Sequence, residues 1–170
     1  MSATSEVLTV ERSGHVATLW LDSPERRNAM GVAFWDDLPV IMNELADDPE
    51  IRAVVIAGKG KHFTIGLDLK AFGSLAGGGN GGSEATKRLT VLRNVKRLQG
   101  SITSIADCRK PVIAAVHGYC LGGGIDLITA CDVRLAAADA IFSVRETKIA
   151  IVADVGTLQR LPGIVGEGHV

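Results

Sequence analysis

Three consecutive glycines, residues 122–124, follow a strand-like apolar run and are followed closely by Asp126. The run PVIAAV (residues 111–116) is typical of a buried strand, and Leu127–Ala130 has the character of a helix beginning. Glycines at such a junction let a ligand approach closely, and the helix N-terminus offers unpaired backbone N–H groups. Donors beside a poorly solvated acid suit carbonyl and enolate chemistry.

The glycine cluster has two other interpretations. It could be a tight turn that serves packing alone, or a cradle for phosphate. A Walker phosphate loop needs Lys followed by Ser or Thr after its last glycine, where this chain has Ile125 and Asp126. The dinucleotide spacing G-x-G-x-x-G is also absent, and an anionic Asp126 would repel phosphate. The residues therefore favour an oxyanion site.

Three carboxylates stand in apolar surroundings: Asp126, Glu146 and Asp154. Burial or a second nearby acid raises the pKa of a carboxyl group, which prepares it for proton transfer near neutral pH. Each also has a structural interpretation. Asp126 would interact favourably with the helix dipole from the first turn. Glu146 would pair with Arg145 or Lys148 at the surface. Asp154 would cap the next helix.

Composition limits the classes of function. The chain has 170 residues, of which 46% are hydrophobic, enough for one domain with a substantial core. A net charge of −1 and 4% aromatic residues argue against nucleic acid as a partner, and no apolar run reaches membrane-spanning length. Cys108, Cys120 and Cys131 lack metal-ligand spacing, so no metal site is predicted. With no secretory signal, a reducing, cytoplasmic location is expected.

Strand and helix patterns alternate along the chain, which predicts an α/β domain with a mainly parallel sheet. Pro39 is expected to kink or break the first long helix, and Pro162 to end the last one. The glycine-rich stretch Gly73–Ser83 is expected to be a flexible loop, mobile over residues 77–82. The predicted strands are Val7–Arg12, His15–Leu21, Arg52–Gly58, Val112–Val116, Val133–Ala136 and Ala140–Ser143; the predicted helices are Val32–Ala46, Ala85–Cys108, Ile125–Ala130 and Gly156–Leu161.

In combination, several segments resemble the crotonase superfamily of enoyl-CoA hydratases and isomerases. The resemblance runs from Val7 to the last residue and implies the ββα spiral fold. Family members continue well past the motif Arg160-Leu161-Pro162, whereas this sequence stops at Val170, so a spiral whose C-terminal helical part is missing is expected. The matching segments are Ser23–Met30, Phe63–Leu69, Lys110–Gly118 with the glycine turn, and Ala130–Arg134.

The resemblance implies roles residue by residue. Backbone N–H groups at Leu67 and Gly123 would bind the thioester oxygen of an acyl-CoA. Asp126, where hydratases usually have Glu, and Glu146 match the two hydratase acids. Positions that would contact the substrate or its CoA are Arg26, Arg27, Ala29, Ile65, Gly66, Asp68, Leu69 and Gly122. CoA belongs to the substrate, so no cofactor is implied, and the full-length family protein would be a homotrimer or hexamer.

Asp154 indicates which subgroup of this superfamily the chain resembles. Hydratases resemble Pro-Gly-Ala-Gly-Gly-Thr-Gln-Arg-Leu in this region, whereas this chain has Asp154 in the corresponding stretch. An Asp, Glu, Asp set at these three positions is similar to the Δ3,5-Δ2,4-dienoyl-CoA isomerases. Isomerisation of a 3,5-dienoyl-CoA is therefore expected, with 2-enoyl-CoA hydration as the alternative. A third hypothesis is a catalytically silent scaffold that binds CoA or RNA, although three retained acids argue against silence.

Overall fold

The computed structural model describes residues 5–71 and 82–169, and a five-stranded sheet organises them. The sheet order is β1-β2-β3-β4-β6, with β1 and β2 antiparallel and every other neighbouring pair parallel. The α/β class with a mainly parallel sheet is thus confirmed. The strands are β1 (Leu8–Ser13), β2 (Val16–Leu21), β3 (Ala53–Gly58), β4 (Val112–Val116), β5 (Tyr119–Leu121), β6 (Val133–Ala136) and β7 (Ile141–Ser143).

Within the described residues, four α-helices accompany the strands: α1 (Val32–Asp47), α2 (Glu84–Ala106), α3 (Gly123–Ala130) and α4 (Thr157–Val165). Helix α3 is buried along its whole length, as expected for the helix that follows the glycine cluster. Short 3-10 helices span Pro24–Arg26, Glu146–Ile149 and Glu167–His169. Among the described residues, no helix combines the length and the apolar character needed to cross a bilayer.

Both proline predictions were wrong as helix boundaries. Helix α1 continues through Pro39, and α4 continues through Pro162. Each proline removes one N–H donor, but packing of the surrounding turns outweighs that loss. In α1 the packing face is fully formed, because six of its apolar side chains are buried: Phe34, Trp35, Leu38, Ile41, Met42 and Leu45.

A short strand directly before the glycine cluster was not predicted. Strand β5 pairs in parallel with β7 and forms a second, two-stranded sheet. Single bridges extend this layer, from Thr64 to Cys120 and from Met30 to Leu67. Helix α3 then begins at Gly123, two residues before the predicted start. Helix α3 follows β5 directly, so this second sheet leads to the glycine cluster of the candidate site.

The other predicted elements agree with the structure to within about two residues at each end, the usual uncertainty of element boundaries. The loop predicted to be mobile over residues 77–82 lies outside the described residues, apart from Gly82.

Candidate active site

A cavity of about 270 Å³ brings together all three predicted acids and both predicted oxyanion residues. Asp126, Glu146, Asp154, Leu67 and Gly123 all line it. We call it the acid cavity. Much of its remaining wall is apolar and consists of Trp35, Ile65, Leu69, Leu98, Ile149, Ile151, Val152, Ala153 and Val155.

The N–H of Leu67 faces away from the neighbouring backbone. In the bridge to Met30, Gly66 O accepts from Met30 N at 2.8 Å and Asp68 N donates to Met30 O at 3.1 Å. Because adjacent residues of an extended chain point their N–H groups to opposite sides, Leu67 N–H is directed to the other side. It has no acceptor among the described residues, so it is available to a bound oxygen.

The N–H of Gly123 is the second available donor. Gly123 is the first residue of α3, where backbone N–H groups have no partner within the helix. A Cβ atom at Gly123 would lie 3.8 Å from Leu67 N and 3.1 Å from the Met30 sulfur. The two donors therefore converge on one part of the cavity, where any side chain at position 123 would intrude.

Gly66 makes this convergence possible. Its φ is +81°, and a Cβ atom there would come within 2.5 Å of Leu121 O and 3.0 Å of Gly123 N. Only glycine allows both this dihedral and this approach without displacing the backbone. The substrate-contact role implied for Gly66 is thus accompanied by a structural one.

Asp126 is buried, with 1% of its surface exposed. Its Oδ1 accepts hydrogen bonds from Thr157 N and Thr157 Oγ1, both at 2.7 Å. Burial raises the pKa of Asp126 from 3.8 to about 6; the hydrogen bonds from Thr157 oppose this rise, and the nearby charges of Glu146 and Asp154 add to it. Asp126 does lie in the first turn of α3, but its partner is the first residue of α4.

Glu146 is also buried, at 8% exposure, and its Oε2 has no hydrogen-bond partner among the described residues. A Cβ atom at Gly122 would lie 3.4 Å from Glu146 Oε1, so the carboxylate sits against the glycine cluster. The interpretation of Glu146 as half of a surface ion pair is wrong. A buried oxygen without a partner is a candidate proton acceptor.

Asp154 lies in the irregular segment before α4. The N-cap of α4 is Gly156, and no side chain accepts a capping hydrogen bond there, so the interpretation of Asp154 as the N-cap is wrong. Its backbone carbonyl accepts from Gln99 Nε2 at 2.8 Å, which ties the segment to α2. Asp154 also borders a second cavity of about 250 Å³, lined with it by Gln99, Thr103 and Arg160 among others.

Asn28 shapes the loop that leads to Met30. Its φ of +55° is left-handed, and its buried side chain binds backbone groups on both sides of the loop. Oδ1 accepts from Ser23 N at 2.9 Å, while Nδ2 lies 2.9 to 3.0 Å from three carbonyl oxygens, those of Lys59, His62 and Phe63. Asn28 therefore joins the segment before Met30 to the segment before Leu67.

The residues predicted to contact substrate or CoA fall into three groups. Ile65, Leu69 and Gly122 line the acid cavity. Arg26 and Asp68 form an ion pair with each other. Arg27, Ala29 and Gly66 belong to the backbone framework beside the cavity, where Arg27 O accepts from Ile65 N at 3.2 Å.

Sequence reasoning missed Thr157 and Gln99, the two side chains that hold the acid-bearing segments. Thr157 lies in the stretch compared with the hydratases, where Asp154 drew the attention, and Gln99 lies in no motif. A threonine directly after Gly156, at the beginning of a helix, was the available signal. In the part of the chain that the structure describes, no group of His, Cys, Asp and Glu side chains is arranged to hold a metal ion.

Comparisons with known proteins agree with this arrangement. The sequence model of the enoyl-CoA hydratase/isomerase family matches residues 11–170. The Arabidopsis thaliana protein named peroxisomal Δ(3,5)-Δ(2,4)-dienoyl-CoA isomerase is 43% identical over 167 residues, which cover 98% of this chain and 60% of that protein. The human protein named mitochondrial Δ(3,5)-Δ(2,4)-dienoyl-CoA isomerase is 45% identical over 153 residues, covering 90% of this chain and 47% of that protein.

Solved structures give the same fold. The crystal structure of an enoyl-CoA hydratase from Bacillus anthracis superposes with a TM-score of 0.81 at 30% identity, covering 96% of this chain and 60% of that one. The chain thus spans between 47% and 60% of the length of these three relatives.

Proposed function

Since the chain belongs to the enoyl-CoA hydratase/isomerase family, we propose that its acid cavity isomerises a 3,5-dienoyl-CoA to a 2,4-dienoyl-CoA. The thioester oxygen would accept hydrogen bonds from Leu67 N–H and Gly123 N–H. Two fixed donors at that oxygen stabilise the negative charge that develops when a proton leaves C2. Removal of one such donor typically lowers kcat by roughly 10²–10³-fold.

Two protons move in the proposed reaction, and they balance. Glu146 takes a proton from C2, and the electron pair delocalises through the conjugated carbons and the thioester as a dienolate. Asp154 gives a proton to C6, so that the double bonds shift from C3–C4 and C5–C6 to C2–C3 and C4–C5. Asp126 adds charge beside the other two acids and fixes the polarity of the cavity. The substrate supplies its own CoA, and no cofactor is needed for these steps.

The observation that carries the proposal is the meeting of Glu146, Asp154 and two free N–H groups in one cavity with an apolar wall. Among the described residues, Glu146 Oε2 is a buried acceptor without a partner, and the N–H donors of Leu67 and Gly123 lie close together. The names of the Arabidopsis and human relatives support the same substrate class. Hydration of a 2-enoyl-CoA is the second candidate, since Asp126 and Glu146 also line the cavity and could activate water.

Asp154→Asn tests the proposal. It should abolish formation of conjugated 2,4-dienoyl-CoA, followed by ultraviolet absorbance, while leaving any hydration of 2-enoyl-CoA largely intact. Asp139→Asn is the matched control, because Asp139 is exposed and outside the cavity, and it should leave both activities unchanged. Equal loss of both activities in Asp154→Asn would assign Asp154 a structural role. No turnover of either substrate by the unmodified chain would favour the silent scaffold.

Assembly and location belong to the proposal as well. We infer a homotrimer or hexamer for the full-length protein, supported by two exposed apolar side chains, Val152 of the cavity wall at 65% and Leu158 of α4 at 49%. A cytoplasmic location stays a prediction, because the relatives named above are described as peroxisomal and mitochondrial.

A further inference from the structure

We propose that Thr157 is a positioning residue that fixes the carboxylate of Asp126 through two hydrogen bonds to a single oxygen. This inference rests on the proposed function for its catalytic meaning, but its structural content can be tested without any substrate. The residue belongs to α4, whereas Asp126 belongs to α3, so the contact also fixes the two helices relative to each other.

The geometry constrains the carboxylate strongly. Thr157 N and Oγ1 both lie 2.7 Å from Asp126 Oδ1, and Thr157 is only 1% exposed. Two donors on one oxygen prevent the carboxylate from rotating. Both bonds go to Oδ1, so Oδ2 is the oxygen that Thr157 leaves free to act in the cavity.

Helix geometry adds to this effect. Thr157 is the first residue of α4, and its N–H is one of the groups that a helix leaves unpaired at its N-terminus. The preceding residue, Gly156, has φ +140°, and a Cβ atom there would collide with Arg160 Nη1. Glycine at position 156 thus allows the chain to turn so that both donors of Thr157 meet the carboxylate.

The charge of Asp126 depends on this contact. Glu146 and Asp154 place negative charge near it, and Arg145 and Lys148 line the same cavity. Burial raises the pKa of Asp126 to about 6, and the Thr157 hydrogen bonds keep it from rising further. Hydrogen bonds to a charged group favour the charged form. Thr157 therefore keeps Asp126 ionised at neutral pH in a place that opposes ionisation.

The principal test is a titration of Asp126 in the whole chain, observed by the NMR signal of its ¹³C-labelled carboxyl group. Thr157→Val removes the hydroxyl donor but keeps the backbone N–H and the side-chain shape. The midpoint should rise by about one pH unit, since a hydrogen bond to a charged group contributes roughly 1.5 kcal/mol or more. Thr157→Ser, which retains the hydroxyl, should restore the original midpoint.

Thr129→Val is the matched control. Thr129 is a buried threonine whose Oγ1 donates to the backbone carbonyl of Asp126 at 2.9 Å, not to the carboxylate. This variant should leave the midpoint unchanged. An unchanged midpoint in Thr157→Val, or a Thr157→Ser variant that behaves like Thr157→Val, would overturn the proposal.

A second measurement does not depend on whether Thr157→Val folds. In the unmodified chain the amide proton shift of Thr157 should titrate with the same midpoint as Asp126, and this titration should vanish in Asp126→Asn. A Thr157 amide that does not follow Asp126 would overturn the proposal. If the midpoint moves as expected but no dienoyl-CoA is converted, the isomerase assignment fails and the positioning role stands. If turnover occurs, the acidic limb of kcat against pH should move with the midpoint.

Discussion

Strands β2 and β3 and the acid cavity both bury side chains, but the buried groups differ in kind. The strands contribute what we call the sheet core: Ala17, Leu19, Val54 and Ile56, all with no measurable exposure. The cavity buries the carboxylates of Asp126 and Glu146 at 1% and 8% exposure, and one oxygen of Glu146 has no partner within residues 5–71 and 82–169.

This difference separates the groups that stabilise the fold from those that prepare chemistry. Burial of apolar surface contributes about 25 cal/mol for each Å², so the sheet core is a net source of stability. A buried carboxylate without compensating partners costs stability, because water can no longer solvate its charge. The acid cavity is therefore held in place by the elements around it. Substitutions in the sheet core should lower the free energy of unfolding, whereas substitutions in the acid cavity should change turnover or the pH dependence of stability.

The largest effect is expected for Gly123→Val. The valine side chain would enter the space between Met30 and Leu67 N, where the thioester oxygen is proposed to bind. We expect kcat to fall by at least roughly 10²-fold, the loss typical of a disabled oxyanion site, as measured by turnover of a 3,5-dienoyl-CoA.

Gly100→Ala is the control for that substitution. Gly100 is an exposed residue of α2, and a Cβ atom there would contact nothing within 4 Å. Its turnover should match that of the unmodified chain. A folded Gly123→Val protein with full kcat would remove Gly123 from the oxyanion role.

Leu19→Ala should act on stability. Deleting a fully buried leucine typically costs about 2–5 kcal/mol in the free energy of unfolding, measured by urea denaturation. Leu92→Ala, at a position that is 51% exposed on α2, should change it by less than about 0.5 kcal/mol. Similar losses in both variants would mean that the sheet core does not dominate stability.

Asp126→Asn should stabilise the fold at neutral pH. The raised pKa of Asp126, about 6 against 3.8 in the unfolded chain, means that the folded state loses stability as pH increases from about 4 to 6. Asparagine carries no charge, so the variant should gain on the order of 3 kcal/mol at most above pH 7, and nothing below pH 4. Denaturant midpoints between pH 4 and 8 measure this difference.

The exposed carboxylate of Asp139 provides the reference for that experiment. Asp139→Asn should leave the free energy of unfolding nearly unchanged, since the residue is exposed. If Asp126→Asn were destabilising at every pH, the bond to Thr157 would outweigh the cost of burying the charge.

The smallest effect is expected for the ion pair between Arg97 of α2 and Asp36 of α1. Both side chains are well exposed, at 38% and 49%, and exposed pairs contribute no more than about 1 kcal/mol. Arg97→Ala should therefore alter the thermal midpoint only slightly and leave turnover unchanged. A loss as large as that of Leu19→Ala would show that the contact between α1 and α2 depends on charge.

The strands of the main sheet were predicted well because each has a distinctive local pattern of apolar residues. The runs that became β3 and β4 are continuous and apolar, as parallel strands covered on both faces must be. Strand β5 was not predicted because Tyr119–Leu121 is short. It pairs with β7, about twenty residues away, and no local sequence pattern indicates that pairing.

The acids could be picked out by their apolar surroundings, but their partners could not. The partner of Asp126 is determined by how α4 packs against α3. This tertiary arrangement produces no periodic pattern in the sequence. The same holds for Pro39 and Pro162, where local rules predict a boundary and packing carries the helix onward. The positions at which sequence reasoning fails are those where distant segments meet.

The side chain of Asn28 has a consequence for how sequence variation is distributed. It closes loops of 31 to 35 residues without a covalent bond, and the groups it holds across the chain are backbone carbonyls. Any residue supplies a carbonyl, so this contact makes no demand of its own on the side chains at positions 59, 62 and 63. At position 28 the contact depends on the side chain, because aspartate there would place a negative charge beside three carbonyl oxygens. The contact thus constrains one position through its side chain and three others only through their backbone.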